Sequence, residues 1–526
     1  MIERSWPSTH GRPEVEALLA TLLAGDDRQT TPSTYETARL VSLAPWLEGN
    51  AARLRYLVAA QQSDGGWGGV DGYALVPTLS ATEALLRVLR QRPSADRWAL
   101  AAAADRGLAA LFRWLGGPVR SAVPDTIAVE VLVPWLARQV NDHLDALARD
   151  GGTERFARWS AGSARLGLPD GIDDTALTQL QAMAATGRPV PAKLWHSLEF
   201  LGSDARAAAG VRATDGVVCG SVAATAAWLG EHPADDRAAA RLAAVQACHG
   251  GPVPGIYPIT VFEHAWVLAA LADAGLGVTA PESIVAGLHR ACGEEGAPAA
   301  IGLPADADDT AAVLYALARV GRPASAECLW TYEADRYFHC FIGERTPSTS
   351  TNGHVLDALV AAPGLDPART LTAAATVSDW LLGEQQQDGC WWDKWHASPY
   401  YATYVCASAL ARYGGPGAAA AVDAALCWVL ATQRADGSWG RWQGTDEETS
   451  YAIQLLLHAG RGHEAAVARG CAFLLRPEQG ADPVPLWHDK DLYAPVNVIT
   501  ANRLAALHLA AACLGAAGPL PVAAHS

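Results

Sequence analysis

The pattern Gln-x-x-Asp-Gly-x-Trp occurs three times in this chain, as Gln61–Trp67, Gln385–Trp391 and Gln433–Trp439, and it limits the fold more than any other feature. Each copy follows a stretch of helical periodicity and precedes a Ser/Thr-rich helix start. Asp-Gly supplies a tight turn, because glycine reaches positive φ without steric cost. The indole that follows can pack across the glutamine side chain and tie adjacent helices together. Degenerate copies at 213–218 (ATDGVV) and 246–251 (QACHGG) extend the repeat. Helical hairpins that cannot bury their apolar faces alone must stack on one another. The expected fold is therefore all-α, with the Trp-bearing turns favouring closed α-barrels over an open solenoid.

The segments between the turns agree. LSATEALLRVLRQRP (79–93), DDTAAVLYALARVGRP (308–323) and TSYAIQLLLHAGRG (449–462) each begin with or near a Ser, Thr or Asp. Each then runs through helix formers and stops at Gly-Arg or Arg-Pro. At 526 residues the chain is too long for one ordinary domain of roughly 150 residues. Half of it is apolar, enough for two sizeable cores.

Charge narrows the function classes. Lys+Arg is 39 against 55 Asp+Glu, a net −16, whereas nucleic-acid and anionic-membrane binders need a basic face. Only Lys193, Lys394 and Lys490 are lysines, so in this acidic chain the places of these few cations are of interest. The ten cysteines form no CxxC pair and read as small buried hydrophobes in a reducing cytosol. No stretch of about 18 strongly apolar residues lacks a charge, His or Gly, and the N-terminus carries no secretory pattern. A cytoplasmic protein without stable membrane insertion is expected.

One cluster carries chemistry. GLPADADDTAAVLYAL (302–317) places Asp306, Asp308 and Asp309 just before an apolar helix. Three carboxylates within four residues repel, so at least one should keep its proton near neutrality. A helix cap needs only one of them. GIDDTALTQL (171–180) also reads DDTA, but Gly171 stands where the first acid would be, and it is read as a plain cap.

DADDT resembles the DxDD motif of class II terpene cyclases, and the Gln…Trp turns resemble the QW motifs of the same superfamily. The likeness covers most of the chain. TPSTYETARLVSLAP (31–45), KLWHSLEFLG (193–202), GGPVPGIYPITVFEHAWVL (250–268), STSTNGHVLDAL (348–359) and DKWHASPYYATYVCASAL (393–410) resemble segments of class II diterpene cyclases, nearest to bacterial ent-copalyl diphosphate synthases. That resemblance implies two (α/α)6-type α-barrels in βγ architecture. Residues 1–28 would give an N-terminal helix to the β domain, 29–275 the inserted γ domain, and 276–526 the rest of β. No DDxxD occurs, and NDHLDALARD (141–150) lacks the Ser and Glu of NDxxSxxxE. The implied reaction is therefore cyclisation of geranylgeranyl diphosphate to a copalyl diphosphate, an isomerisation that keeps the diphosphate.

The resemblance also implies roles. Asp308 is the general acid that protonates the terminal alkene, Asp306 and Asp309 tune or reload it, and Asn352 is the expected polar partner. His196 matches a histidine that holds a basic water with an asparagine, but Gly255 occupies the asparagine position. Trp330, Trp391, Tyr400 and Tyr401, with Tyr332 and Trp392, are candidate cavity aromatics. Lys394 and Lys193 are candidate diphosphate contacts, whereas Lys490, in WHDKDLYAP, has no motif to recommend it. Mg²⁺ is implied without assigned ligands; Asp71 and Glu83 are weak candidates. A homodimer is open, and a class I diterpene synthase would consume the product. The other readings are a sister cyclase giving another stereoisomer or a rearranged skeleton, a squalene–hopene-type cyclase, and a non-catalytic helical-repeat scaffold. A prenyltransferase β-subunit would need a zinc set that is not evident.

Overall fold

The computed structural model describes residues 12–25, 29–91, 97–115, 123–149, 156–160, 165–231, 235–276, 279–458, 462–476 and 482–516. These are helical apart from loops and two short two-stranded ribbons. The helices close into two rings, as two α-barrels require.

In the second ring, the inner helices are Thr260–Asp273, Ala307–Arg319, Thr349–Ala361, Pro399–Tyr413, Asp446–His458 and Val496–Ala516, and the last packs back on the first. Arg12–Ala24, Glu282–Ala291, Glu327–Tyr332, Pro367–Glu384, Ala418–Ala431 and Glu464–Leu474 lie outside them. The first ring is smaller. Among the described residues it is closed by five inner segments where six were expected: Thr34–Leu43, Leu75–Gln91, Val129–Arg149, the 3₁₀ segment Ala192–Ala207, and Val222–Leu229.

Packing also shows which ring each end of the chain joins. Val15, Leu18, Leu19 and Leu22 of the first helix pack into one core with Phe262, Leu268, Val313 and Val498. Helix Thr260–Asp273 thus stands in the second ring, although the sequence reading put the divide at 275. Residues 26–28, the other expected divide, lie outside the described residues. Helix Val496–Ala516 is long and apolar enough to cross a membrane by length and composition. It is instead a wall of the second ring, with Val498, Ala501, Ala505 and Ala510 fully buried.

The three Gln…Trp turns are built alike. Each glutamine amide donates to its own turn (Gly65, Gly389, Gly437 carbonyls) and to a carbonyl of the next outer helix (Ala103, Ala421, Ala466), at 2.8–2.9 Å. Each indole N–H donates back to the preceding helix, at Leu57, Leu381 and Val429. The glycines need positive φ, +94°, +100° and +88°, and a Cβ there would stand 2.5–2.6 Å from a backbone oxygen of the next outer helix. The repeat therefore clamps consecutive outer helices, and the glutamine makes the clamp through hydrogen bonds rather than by lying under the indole.

Strand Trp487–His488 pairs antiparallel with Leu492–Tyr493, forming a ribbon whose tip, Asp489-Lys490-Asp491, is buried. The tip reaches the first ring: Asp491 accepts hydrogen bonds from Ser33 Oγ (2.6 Å) and Tyr35 N (3.0 Å). Nearby, His488 Nε2 lies 2.8 Å from Tyr73 Oη, and Trp442 Nε1 donates to Asp71 at 2.7 Å.

Candidate active site

A cavity of about 430 Å³ lies between the rings, with Asp306, Asp308 and Asp309 on its wall and His196 on the same surface. The acids sit there because the loop after Gly302 enters helix Ala307–Arg319 at the cavity. Asp306 is the N-cap, accepting from Asp309 N at 2.8 Å. This caps the helix and sets Asp308 in its first turn, the side chain only 12% exposed.

His354 Nδ1 stands 2.8 Å from Asp308 Oδ1. Burial pulls His354 down, but Asp308, with smaller help from Asp357 and Asp393, outweighs it and leaves its pKa raised. Burial drives Asp306 up; the hydrogen bond from Asp309 opposes this and the charge of Asp308 adds to it, for a value of about 7. Burial and then Asp306 hold Asp309 well above the usual carboxylate range, and its buried Oδ1 has no protein partner. Asp306 and Asp309 thus hold protons more readily than ordinary carboxylates, while His354 fixes one oxygen of Asp308. That is the arrangement a Brønsted acid facing an alkene needs.

Asn352 is not the partner of Asp308. It is fully buried, its Oδ1 accepting from Phe338 N (2.8 Å) and its Nδ2 donating to Phe338 O (3.0 Å) and Ser348 O (2.8 Å). It pins a loop to helix Thr349–Ala361. The partner, His354, was missed in the sequence. Its signal was a polar stripe, Ser350–His354–Asp357, at four- and three-residue spacing along one face of the helix.

The aromatic expectations need correction as well. Trp330 packs on Phe338 under the Arg369 guanidinium, away from the cavity. Trp391 is a clamp indole, Tyr400 packs on Trp428, and Trp392 is 43% exposed. Tyr332 donates its hydroxyl to Glu295 O. Tyr401 is buried inside the second ring, its hydroxyl accepting from Trp266 Nε1 at 3.2 Å, beside a smaller void of about 70 Å³. The rings on the cavity wall are Phe262, Phe341, Trp395, Trp487 and Tyr493. Four of them come from segments distant from the acid motif, so no local pattern marks them.

Lys193 and Lys394 both reach the cavity. Lys394 is committed to Glu344 and to Thr346 O. Lys193 is exposed, and Arg345, paired with Asp125 at 3.0 Å, joins it on the wall. Glu83 is buried among Arg39 (2.7 Å), His143 and Arg87; burial raises its pKa but Arg39 leads the groups that lower it overall. Asp71 pairs with Arg441 and Trp442 across the rings. Neither is placed as a metal ligand. Among the described residues no three metal-ligating side chains gather. The cavity carboxylates Asp125 and Glu130 are suited only to the partial coordination Mg²⁺ takes when phosphate oxygens complete its shell.

His196 is buried. Its Nδ1 lies 2.7 Å from Cys219 O, and its Nε2 lies 2.7 Å from Asp489 Oδ1. Burial works against its charge, but Asp489 leads the influences that leave its pKa raised; Asp489 is lowered because His196 and Lys490 outweigh burial. Lys490, which no motif recommended, is fully buried and donates to Glu36, Glu199 (2.9 Å) and Ser221 Oγ (2.7 Å). Of the ten free cysteines five are buried, while Cys427 is exposed.

Residues 344–495 match the family model of the squalene-hopene cyclase C-terminal domain. An ent-copalyl diphosphate synthase from Streptomyces sp. (strain KO-3988) is 47% identical over 94% of this chain and 95% of its own. A copalyl diphosphate synthase from Streptomyces cyslabdanicus is 42% identical over 91% and 92%. The solved structure of ent-copalyl diphosphate synthase from Streptomyces platensis superposes with a TM-score of 0.87 at 48% identity, over 95% of this chain and 99% of that one.

Proposed function

The chain belongs to the bacterial class II diterpene cyclases and is an enzyme that makes a copalyl diphosphate; we propose that its substrate is geranylgeranyl diphosphate and its product the ent isomer. The observation that carries the chemistry is the carboxylate cluster on the cavity wall with His354 on Asp308. The ent assignment is supported by the relatives from Streptomyces sp. and Streptomyces platensis.

Asp308 delivers a proton to the terminal double bond, and His354, donating to Oδ1, stabilises the carboxylate left behind. The π electrons of successive alkenes then close two rings, and the positive charge moves along the aromatic wall of Phe262, Trp487 and Tyr493. Loss of one C–H proton gives the new alkene. Atoms are conserved overall and the diphosphate stays attached. Asp306 and Asp309 hold protons beside Asp308 and reload it.

Lys193 and Arg345 are the cations offered to the diphosphate, with Asp125 and Glu130 as the carboxylates that would share Mg²⁺ with it. The metal would neutralise phosphate charge. The protein works in the cytoplasm, a homodimer belongs to this reading, and the product's intact allylic diphosphate must pass to an enzyme that ionises it, a class I synthase. Gly255, at a position where the resemblance expects asparagine, favours a second reading, another copalyl stereoisomer.

The test is incubation with geranylgeranyl diphosphate and Mg²⁺, dephosphorylation, and chiral analysis of the alcohol. A single ent-copalol is expected. Unchanged substrate, or release of inorganic diphosphate, defeats the reading; the opposite enantiomer defeats only its stereochemical half.

A further inference from the structure

Cys292 and Cys328 depart from the expectation that the cysteines are small buried hydrophobes. Both are free and only half-buried, and both line an open groove of about 620 Å³ together with His289, Glu294, Glu327 and Thr331. Cys292 ends the outer helix Glu282–Ala291, and Cys328 lies in the 3₁₀ segment Glu327–Tyr332. Though 36 positions apart in sequence, their thiols meet in this groove, the Cys292 S–H placed to donate to the Cys328 sulfur. The backbone N–H groups of Cys328 and Leu329 point at the same sulfur.

With donors converging on one sulfur, the two thiols are not equivalent. The hydrogen bond from Cys292 leads the influences that hold Cys328 below the usual thiol range, against burial and the nearby Glu327; the donor, Cys292, is pushed up. A partly exposed thiol stabilised as thiolate, with a second thiol against it, is the pairing of an attacking and a resolving cysteine. The place matters as well. Cys292 leads into the segment 293–306, which turns at Gly293–Gly296, pairs Ala297 with Asp306 and so delivers the acid cluster to its helix. Tyr332, from the same 3₁₀ segment as Cys328, already donates its hydroxyl to Glu295 O in that turn. A covalent bond between the thiols would fasten the two pieces at the point where the acid-bearing segment begins.

We propose that Cys292 and Cys328 are a redox modification site, oxidised by hydrogen peroxide to a reversible disulfide that staples the acid-bearing segment to the 3₁₀ segment. The Cys328 thiolate attacks one peroxide oxygen, the O–O bond breaks, and hydroxide leaves, becoming water with the proton that the thiol had released. The Cys292 sulfur then attacks the sulfenic sulfur of Cys328. The S–O bond breaks, the S–S bond forms, and the Cys292 proton leaves with the oxygen as a second water. Both thiols are oxidised and one peroxide is reduced to two waters. A small dithiol restores the thiols by exchange, becoming a disulfide itself. The groove lies apart from the cavity, and the proposal does not depend on the cyclase reading.

The test uses the full chain without substrate, reduced, freed of reductant and treated with limiting hydrogen peroxide. Remaining thiols are alkylated after denaturation and the peptides mapped by mass spectrometry. A linked Cys292–Cys328 peptide is expected, and it should disappear after dithiothreitol. The thermal midpoint should rise by a few degrees on oxidation and return on reduction, because the bond restricts the unfolded chain. Before any peroxide, brief iodoacetamide treatment of the native protein should label Cys328 about tenfold faster than Cys292. In Cys292→Ser, which lacks the resolving thiol, peroxide should leave a sulfenic acid on Cys328 that a cyclic 1,3-dione traps; in Cys328→Ser, Cys292 should stay unlabelled by the same dione. The wild-type linkage is read without either variant, so a variant that fails to fold does not shield the proposal. Full alkylation of both thiols after peroxide would overturn it. So would consumption of the exposed Cys427 with the pair untouched, equal dione labelling in the two variants, or a midpoint that falls when the linkage forms.

Discussion

The two polar poles of the cavity are built in opposite ways. The acid pole comes from one helix start, Asp306 to Asp309, with a single added partner, His354, from the neighbouring inner helix of the same ring. Like charges there are crowded and buried, so protons are retained. The other pole is assembled across both rings from Glu36, His196, Glu199, Ser221, Asp489 and Lys490. Opposite charges there are matched, and His196 and Lys490 hold Asp489 below the usual carboxylate range. Burial is nearly complete at both poles; what differs is the sign of the neighbours. A pocket that must give a proton and take one back needs both kinds of environment.

The largest expected effect is at the acid pole. Asp308→Ala should reduce turnover by roughly 10³-fold or more, measured as consumption of geranylgeranyl diphosphate, with the thermal midpoint little changed. Survival of near-normal turnover would remove the distinction between the poles.

Next is Lys490→Met, which leaves Glu36 and Glu199 buried without their cation. Breaking such a pair costs about 3–5 kcal/mol, so the thermal midpoint should fall while Asp308 chemistry persists in the folded fraction. An unaltered midpoint would mean that the matched charges are not what joins the rings there.

His354→Ala removes the hydrogen bond to ionised Asp308. A charge-assisted bond is worth about 1.5–3 kcal/mol, so initiation should slow by about 10- to 100-fold with the product unchanged. A changed product would show that His354 acts on the cation instead.

The pH response sharpens the same contrast. Asp306 is raised to about 7, so its proton is lost as pH rises through that value, and initiation should decline above it. Folding linkage has the same sign. The stability contributed by protonated Asp306 is full below the ordinary carboxylate pKa and is lost as pH rises through about 7. Single-turnover rates across pH check the first claim, and denaturation midpoints the second.

The smallest effect is expected from Trp330→Ala, which should alter neither rate nor product, since Trp330 lies off the cavity. A product change would restore it to the wall.

How much of this was legible follows from how local each feature is. The clamp turns were visible because Gln, Asp-Gly and Trp lie within seven residues and each does its work at the turn. The acid cluster was visible for the same reason. The sequence points to Asn352 and not to His354 because a short polar segment carries no information on which face meets the cavity; helical phase does, and it places His354 with Ser350 and Asp357. The cavity rings are not legible because spacing along the chain does not say which side of a loop or helix meets the cavity: Trp391 and Trp392 are off the wall, whereas Trp395 in the same segment is on it.

The ribbon tip is the strongest case. Asp489-Lys490-Asp491 reads as a solvated turn, since a run of charges is costly to bury unless every member is paired. The pairing groups, Glu36, Glu199 and His196, lie hundreds of residues away on the other ring. By itself the sequence determined an all-α chain, its outer clamps, and an acid poised on a helix start, because those depend on turns, periodicity and neighbouring charges. Only the tertiary structure decided that, among the described residues, the rings close with unequal numbers of inner segments, that His354 serves Asp308, and that a charged turn lies buried beside His196. Each of those depends on which distant groups share a low-dielectric space.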